Sequence, residues 1–156
     1  MHLSRHFTLR EFTASQAADR LGFDNTPSDL HVDAMRLLCA EILEPIRDHF
    51  GPVRITSGYR SPEVNRAIGG SWTSQHRKGQ AADFEIPGVD NLDVAYWCRD
   101  HLHTFDQLIS EYYRDGDPSS GWIHISHRSD GKNRGEVLTK NSKVRGYIHG
   151  LPEQGF

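Results

Sequence analysis

Two stretches of alternating residues constrain the fold of this chain more than any other feature. Residues 81–86 read Ala-Ala-Asp-Phe-Glu-Ile, and residues 122–126 read Trp-Ile-His-Ile-Ser. A period of two predicts β-strands, so Asp83 and His124 each hold a fixed place on one strand face. A second histidine, His76, lies shortly before the first strand. If the two strands are neighbours in one sheet, the three side chains can meet at one point.

These three side chains have the chemistry of a metal site. Two imidazoles and a carboxylate, with one coordination position left open, are the usual arrangement around a catalytic zinc ion. Between His76 and Asp83, Gly79 and the small pair Ala81–Ala82 allow the tight turn that this spacing needs. Because the chain has 10 histidines in 156 residues, the combined pattern carries the prediction, not any single His. One zinc ion is the expected cofactor.

The composition is that of one soluble globular domain. The chain has 156 residues, of which 36% are hydrophobic and 25% charged. We expect a monomeric single domain over residues 1–156, with its core at about 7–128 and a basic C-terminal extension at 129–156. The formal net charge of -3 gives no electrostatic basis for binding nucleic acid. Cys39 and Cys98 lie in apolar helical settings and are expected to be buried free thiols.

The N-terminus and the hydropathy of the chain bear on its location. Residues 1–7 lack the apolar core of a signal peptide, and no apolar run approaches the length of a membrane span. We therefore expect synthesis in the cytoplasm and no insertion into a membrane. Another agent would have to carry the protein to any target outside the cell.

The pattern of predicted elements is mixed. A long helix is predicted from Ser28 or Asp29 to His49, and Pro45 inside it predicts a kink or break near Leu43. Further helices are predicted at 15–21, 63–68 and 92–102, and strands at 53–57, 81–86, 107–113, 121–127 and, as an edge strand, 136–139. The chain therefore belongs to the α+β class.

Several short segments follow one another in a specific order and spacing. They are Phe7-Thr-Leu-Arg-Glu-Phe12, Asn25-Thr-Pro27, Thr56-Ser-Gly-Tyr-Arg-Ser-Pro62, Ser74-Gln-His76, Gly79-Gln-Ala-Ala-Asp83, Phe105-Asp-Gln-Leu-Ile109, Glu111 and Trp122-Ile-His-Ile-Ser126. In these segments the chain resembles the peptidase M15 family of zinc D-Ala-D-Ala carboxypeptidases and peptidoglycan endopeptidases. Within that family it is similar to the compact branch common in phages and prophages.

The resemblance implies a fold and a ligand set. The implied fold is that of the zinc D-Ala-D-Ala peptidases, also called hedgehog/DD-peptidase-like, in which helices pack on one side of a small antiparallel sheet. The implied zinc ligands are His76, Asp83 and His124.

The general base is less clear from the sequence. In many members of the family an acid lies three residues before the terminal His ligand, and here that position is Gly121. The best substitute is Glu111, because a Glu follows the Phe-Asp-Gln-Leu-Ile stretch in the same way in the compact branch. A paired strand would bring Glu111 beside His124, whereas the alternative is a surface Glu on a hairpin. His127 is a weaker candidate.

Arg60 is the second predicted catalytic residue, and it is also a substrate-binding candidate. It follows a predicted strand, and a guanidinium there can grip a peptide carboxylate or stabilise an oxyanion. In the family the matching Arg contacts substrate, although a salt bridge at the turn is the alternative. The other substrate-binding candidates are Ser74, Gln75, Tyr59 and Trp122.

The sequence leaves three functions open. The first is a murein endopeptidase of the endolysin type, which cuts peptidoglycan stem peptides or their cross-links. The second is a D-Ala-D-Ala carboxypeptidase, which would use Arg60 to hold the free carboxylate. The third is a non-catalytic wall-binding protein or a phage structural protein, which the missing acid at Gly121 favours. The expected site of action is the cell wall, reached after release from the cell or as part of a virion.

Overall fold

A computed structural model describes residues 1–153, which form one mixed sheet with helices packed against it. The helices are α1 (Leu9–Thr13), α2 (Gln16–Leu21), α3 (Asp29–Leu38), α4 (Glu44–Phe50), α5 (Pro62–Ala67) and α6 (Asn91–His101), with a π-helical turn at Cys39–Leu43 and a 3-10 turn at Gln75–Lys78. The strands are β1 (Arg54–Ser57), β2 (Ala81–Glu85), β3 (Gln107–Glu111), β4 (Trp122–Ser126), β5 (Glu136–Lys140) and β6 (Ile148–His149). The predicted α+β class is confirmed.

The sheet differs from the small antiparallel sheet that was expected. It has six strands in the order β1-β2-β4-β3-β5-β6, and β3 and β5 run parallel while the other neighbours are antiparallel. The parallel pair arises because the chain after β4 returns to the start of β3. There Gly135 N–H donates to Phe105 O at 3.0 Å, and Glu136 N–H donates to Asp106 O at 2.9 Å. Strand β5 therefore starts at the same end of the sheet as β3.

One face of the sheet carries the hydrophobic core. Its fully buried side chains belong to one cluster with residues of α3, α4 and α6, and they are Ala82, Phe84, Leu108, Ile123 and Ile125. The opposite face carries the polar residues. The strand register aligns Asp83 with His124, and His124 with Ile109, in one row across β2, β4 and β3. The neighbour relation between β2 and β4 required by the sequence pattern is thus present.

The long predicted helix is interrupted where its proline predicts a break. The α-helical hydrogen bonding of α3 ends at Leu38, and the next five residues, Cys39–Leu43, are π-helical. Pro45 has no N–H to donate, and its ring would clash with the carbonyl four residues earlier in a regular helix. The wider turn avoids this clash, and the Glu44 N–H donates to the Cys39 carbonyl instead. The apolar stripe nevertheless continues across the break.

Both cysteines are buried and free, as predicted. Burial raises the pKa of the Cys39 thiol to about 12, so this residue is an inert core side chain. None of the helices in residues 1–153 has the length and apolar character needed to cross a bilayer.

Candidate metal centre

The centre of the site is the row of side chains on the polar face of β2 and β4. Asp83 and His124 are directly paired in the strand register, and His124 Nδ1 lies 3.1 Å from Asp83 Oδ1. Both residues are at least nine-tenths buried. Because the strands are hydrogen-bonded neighbours, the backbone itself fixes the distance between the two side chains.

His76 reaches the same point from a short 3-10 turn. The Ser74 hydroxyl accepts from the His76 N–H at 3.2 Å, and Gly79, with a φ of 70°, ends the turn in the left-handed conformation. The Gly58 carbonyl lies 2.7 Å from His76 Nδ1, which therefore donates to it. This contact leaves Nε2 free, and Nε2 lies 3.4 Å from Asp83 Oδ1. The turn thus presents one defined nitrogen to the site.

The electrostatics of the cluster suit a cation. One ligand atom from each of His76, Asp83 and His124 lies within 4.8 Å of the others, and all three residues are buried. Burial lowers the pKa of His76 and so favours the neutral imidazole, the form that binds metal, although the adjacent Asp83 acts in the opposite direction. Burial alone would raise the pKa of Asp83, but the two adjacent imidazoles hold that pKa well below its usual value. A neutral donor beside a carboxylate that stays ionised fits a divalent ion such as zinc.

A comparison with protein families identifies the family of this chain. Residues 5–126 match the family model described as Peptidase M15. The chain belongs to the peptidase M15 family. The match confirms the family predicted from the sequence motifs, and membership implies a zinc peptidase. A search of curated proteins finds no match.

In this M15 family member, Glu111 lies beside the cluster of candidate ligands, His76, Asp83 and His124. It pairs with Trp122 in the register of β3 and β4, and its Oε1 is 4.0 Å from His124 Nδ1. Burial and the negative charge of Asp83 raise the pKa of Glu111, whereas His124 and Arg60 act in the opposite direction. A raised pKa makes this carboxylate a stronger base than an ordinary Glu side chain.

Gly121 cannot carry a catalytic side chain in this fold. Its φ is 64°, and a Cβ atom there would lie 2.0 Å from the Glu111 carbonyl oxygen. The backbone of the turn between β3 and β4 therefore passes directly over the end of β3. The space that a side chain at position 121 would need is therefore occupied by the backbone of Glu111.

Arg60 contacts the cluster of candidate ligands through Asp83. Its Nη2 lies 3.5 Å from Asp83 Oδ2, its Nε donates to Ser57 Oγ at 3.1 Å, and its Nη1 donates to Asn65 Oδ1 at 3.1 Å. Burial lowers the pKa of the guanidinium, although the charges of Asp83 and Glu111 oppose this effect. The guanidinium is held in one orientation at the wall of the site, with N–H groups left over for a ligand.

A groove of about 740 Å³ runs past the cluster, and most of the predicted substrate-binding residues line it. Among them, Ser74 is also the cap that positions His76, and the Gln75 amide donates to Gln80 Oε1 at 3.2 Å. The indole N–H of Trp122 is buried close to the Glu111 carboxyl and lowers its pKa. These positions agree with a role in substrate contact.

Two candidates lie elsewhere. Tyr59 is 5% exposed, belongs to the hydrophobic core and lines only the adjoining cavity. His127 is buried outside the groove lining, and the charges that act on it come from Glu41 and Asp106. Neither residue lies in the groove beside His124.

Sequence reasoning missed several residues of the site. Asn65, which is 2% exposed, holds Arg60 as described above and also donates to the Ser71 carbonyl at 2.9 Å. Lys140 and Tyr147 line the groove although they come from the presumed extension. For Asn65, the only sequence signal is an Asn inside the short helix predicted at 63–68. Nothing local in the sequence distinguishes the other two.

Proposed function

We propose that this M15 peptidase is a zinc-dependent peptidoglycan endopeptidase that cuts stem peptides or their cross-links. His76, Asp83 and His124 would hold the ion. The peptidoglycan substrate is supported by the motif resemblance to enzymes that cleave D-amino acid peptides. The endopeptidase reaction is supported by the shape of the groove around the cluster.

The cavities at the cluster support this choice, because space for a peptide lies on two sides of Asp83 and Arg60. A second cavity of about 780 Å³ adjoins the groove and shares Arg60, Ile68, Asp83 and Trp122 as lining residues. Its far walls are formed by residues of α1, α2 and β1, including Glu11, Gln16 and Ile55. An endopeptidase must hold peptide on both sides of the bond it cuts, whereas a carboxypeptidase needs only a single residue on one side.

The side chains have defined roles in this proposal. Zinc, when bound, polarises the scissile carbonyl and lowers the pKa of water at the open coordination position. Glu111 accepts the proton of the attacking water and delivers it to the leaving amine. Arg60 orients Asp83 and offers its remaining N–H groups to the developing oxyanion or to a substrate carbonyl. The buried indole N–H of Trp122 helps to orient the Glu111 carboxyl.

Digestion of purified sacculi by the zinc-loaded protein tests the proposal. We expect cross-linked muropeptide dimers to decrease and the corresponding monomers to increase, as measured by mass spectrometry of the soluble products. The matched control is Glu111→Gln, which should leave the dimers intact. Release of single D-Ala residues with all cross-links retained would instead identify a carboxypeptidase.

Two stem peptides, one with a free terminal carboxylate and one with an amide cap, distinguish the endopeptidase from the carboxypeptidase. A carboxypeptidase depends on pairing the terminal carboxylate with a cation such as Arg60, so an amide cap on its substrate should greatly weaken cleavage. An endopeptidase should tolerate the same cap. If the zinc-loaded protein cleaves neither peptide and leaves sacculi unchanged but sediments with them, a wall-binding protein is the better description.

A further inference from the structure

The segment that follows the family match forms one wall of the groove. The match to the M15 family ends at residue 126, yet Arg134, Lys140 and Tyr147 all line the groove beside the metal cluster. Features of this wall are therefore supplied by a part of the chain that the family pattern does not include.

Backbone hydrogen bonds attach this wall to β3, the strand that carries Glu111. Strand β5 pairs with β3 over its whole length, and the Tyr112 N–H donates to the Lys140 carbonyl at 2.8 Å. The following turn is tied back by Thr139 Oγ1, which donates to Gly150 O at 2.7 Å, and by the Gly150 N–H, which donates to Val137 O at 2.9 Å. The backbone of β5 consequently has a fixed position relative to that of Glu111.

Lys140 shares a sheet face with the proposed general base. It is the register partner of Glu111, and directly paired residues of neighbouring strands point to the same side. Its Nζ donates to the Gly146 carbonyl at 3.1 Å and lies 5.4 Å from the centroid of the Tyr147 ring. Within residues 1–153, no carboxylate lies within ion-pair distance of this ammonium.

The other two cations of the groove already have anionic partners. Arg134 Nη2 lies 2.9 Å from Asp106 Oδ2, and Arg60 Nη2 lies 3.5 Å from Asp83 Oδ2. An ammonium group has three N–H donors, and Lys140 uses one of them for a backbone carbonyl. Two donors and the charge of this groove-lining residue are left without a protein partner among residues 1–153.

We propose that Lys140 is a specificity-determining residue that binds a free carboxylate of the peptide substrate. The inference rests on the proposed peptidase function, and it adds that the preferred substrate is an acidic peptide. Its carboxylate lies away from the scissile bond, on the β5 side of Glu111. The Gly146 carbonyl and the Tyr147 ring position the ammonium, which recognises the carboxylate as a compact point charge.

Binding measurements with an uncleaved complex test this assignment. The zinc-loaded Glu111→Gln protein is titrated calorimetrically with a synthetic stem-type peptide, and with analogues in which each free carboxylate in turn is a carboxamide. We expect one of these amidations to weaken binding by about 10-fold or more, the usual effect of losing a charged hydrogen bond. Adding Lys140→Gln should weaken the acid peptide to the same extent and abolish the difference between the acid and that analogue.

The matched control is Lys143→Gln, since Lys143 is an exposed lysine of the same segment that does not line the groove. It should leave all affinities unchanged. The proposal is overturned if Lys140→Gln weakens the acid peptide and every amidated analogue equally, if it has no effect, or if the acid peptide does not bind. Cleavage of sacculi by the unmodified protein together with any of these results would retain the proposed function and reject only the carboxylate site. Lys140-dependent binding without cleavage of sacculi would retain the carboxylate site and reject the proposed peptidase function.

Discussion

Asp83 lies at the middle of the candidate metal centre. His76, His124 and Arg60 all lie within 3.5 Å of its carboxylate oxygens. Two of these neighbours are candidate ligands and the third is a buried cation, so one carboxylate organises the whole cluster. Its loss would leave the two imidazoles beside an uncompensated guanidinium.

Asp83→Ala should therefore abolish zinc binding. We expect bound zinc, measured by atomic emission after dialysis, to fall from about one ion per chain to almost none. The matched control is Glu85→Ala, which removes a carboxylate from the same strand face at a position outside the groove. A variant at residue 83 that kept full zinc occupancy would contradict the ligand assignment.

Glu111 lies next to the candidate ligands, with Oε1 4.0 Å from His124 Nδ1, but it is not one of the three residues that can hold the ion together. Because it is not needed to complete that group, Glu111→Gln should retain both zinc and the fold. Turnover should fall by roughly 10²-fold or more, the lower range for loss of a general base. The measurement is the cleavage rate of a soluble cross-linked peptide at saturating concentration. Near-normal turnover would exclude this residue as the base.

At the scale of elements, the β3–β4 turn explains why this chain uses a different acid position. Gly121 and Gly116 both lie in this turn with positive φ values of 64° and 78°. A Cβ atom at Gly121 would overlap the Glu111 backbone, whereas nothing lies within 4 Å of a Cβ atom at Gly116. Substitutions at Gly116 therefore measure only the free-energy cost of a positive φ, whereas substitutions at Gly121 add the cost of the steric overlap with Glu111.

Gly121→Ala should destabilise the fold more than Gly116→Ala. The substitution at Gly116 should cost about 1–2 kcal/mol, the price of a left-handed L-residue. The substitution at Gly121 should cost more and also lower activity, because the end of β3 must shift and carry Glu111 with it. Chemical denaturation and peptide cleavage measure the two effects. Equal free energies of unfolding for the two variants would show that the turn relaxes without strain.

The start of α4 anchors the N-terminal segment through one carboxylate. Glu44 accepts hydrogen bonds from Ser4 Oγ at 2.6 Å and from both the backbone N–H and Nδ1 of His6 at 2.7 Å. Burial would raise the pKa of Glu44, but these hydrogen bonds hold it below the ordinary value of 4.5. The carboxyl is thus more acidic in the folded chain than in the unfolded chain. Its stabilisation is complete above the unfolded pKa and is lost as the pH falls through the folded pKa.

Glu44→Gln should consequently cost stability in a pH-dependent way. We expect the free energy of unfolding to fall by about 1–2 kcal/mol at pH 7, and this difference from the unmodified protein to shrink as the pH is lowered below 4.5. Urea denaturation at a series of pH values measures it. The control, Glu41→Gln, changes an exposed residue one turn earlier and should have little effect at any pH. A cost that grew on acidification would contradict the assigned direction.

Local sequence patterns predict many of these elements, and the reason is physical. The alternation at 81–86 and 122–126, and the break imposed by Pro45, depend on interactions within a few residues. The convergence of Asp83 and His124 also follows, because it requires only that two strands be neighbours. The parallel pairing of β5 does not follow, since Asp106 and Arg134 set it across a sequence separation of 28 residues. For the same reason the sequence does not indicate that Lys140 lies beside Glu111.

At the scale of the whole molecule, residues 134–150 pack against the sheet and the core. Asp106 is completely buried, and Arg134 binds it through its backbone N–H at 3.0 Å and through Nε and Nη2 at 3.0 and 2.9 Å. Leu138 is 5% exposed, and Val137 packs against the main core. Removing this segment would expose the edge of β3 and leave Asp106 without its cation.

A chain ending after Arg128 should therefore fail to fold. Loss of the partner of a buried charge alone costs about 3–5 kcal/mol, a large part of the roughly 5–15 kcal/mol that stabilises a typical domain. We expect circular dichroism to show no cooperative melting, and the exposed β3 edge to promote aggregation. The control is a chain ending after Gly150, which keeps β5 and β6 and should melt cooperatively. Cooperative melting of the shorter chain at the temperature of the full-length protein would show instead that residues 129–156 are a dispensable extension.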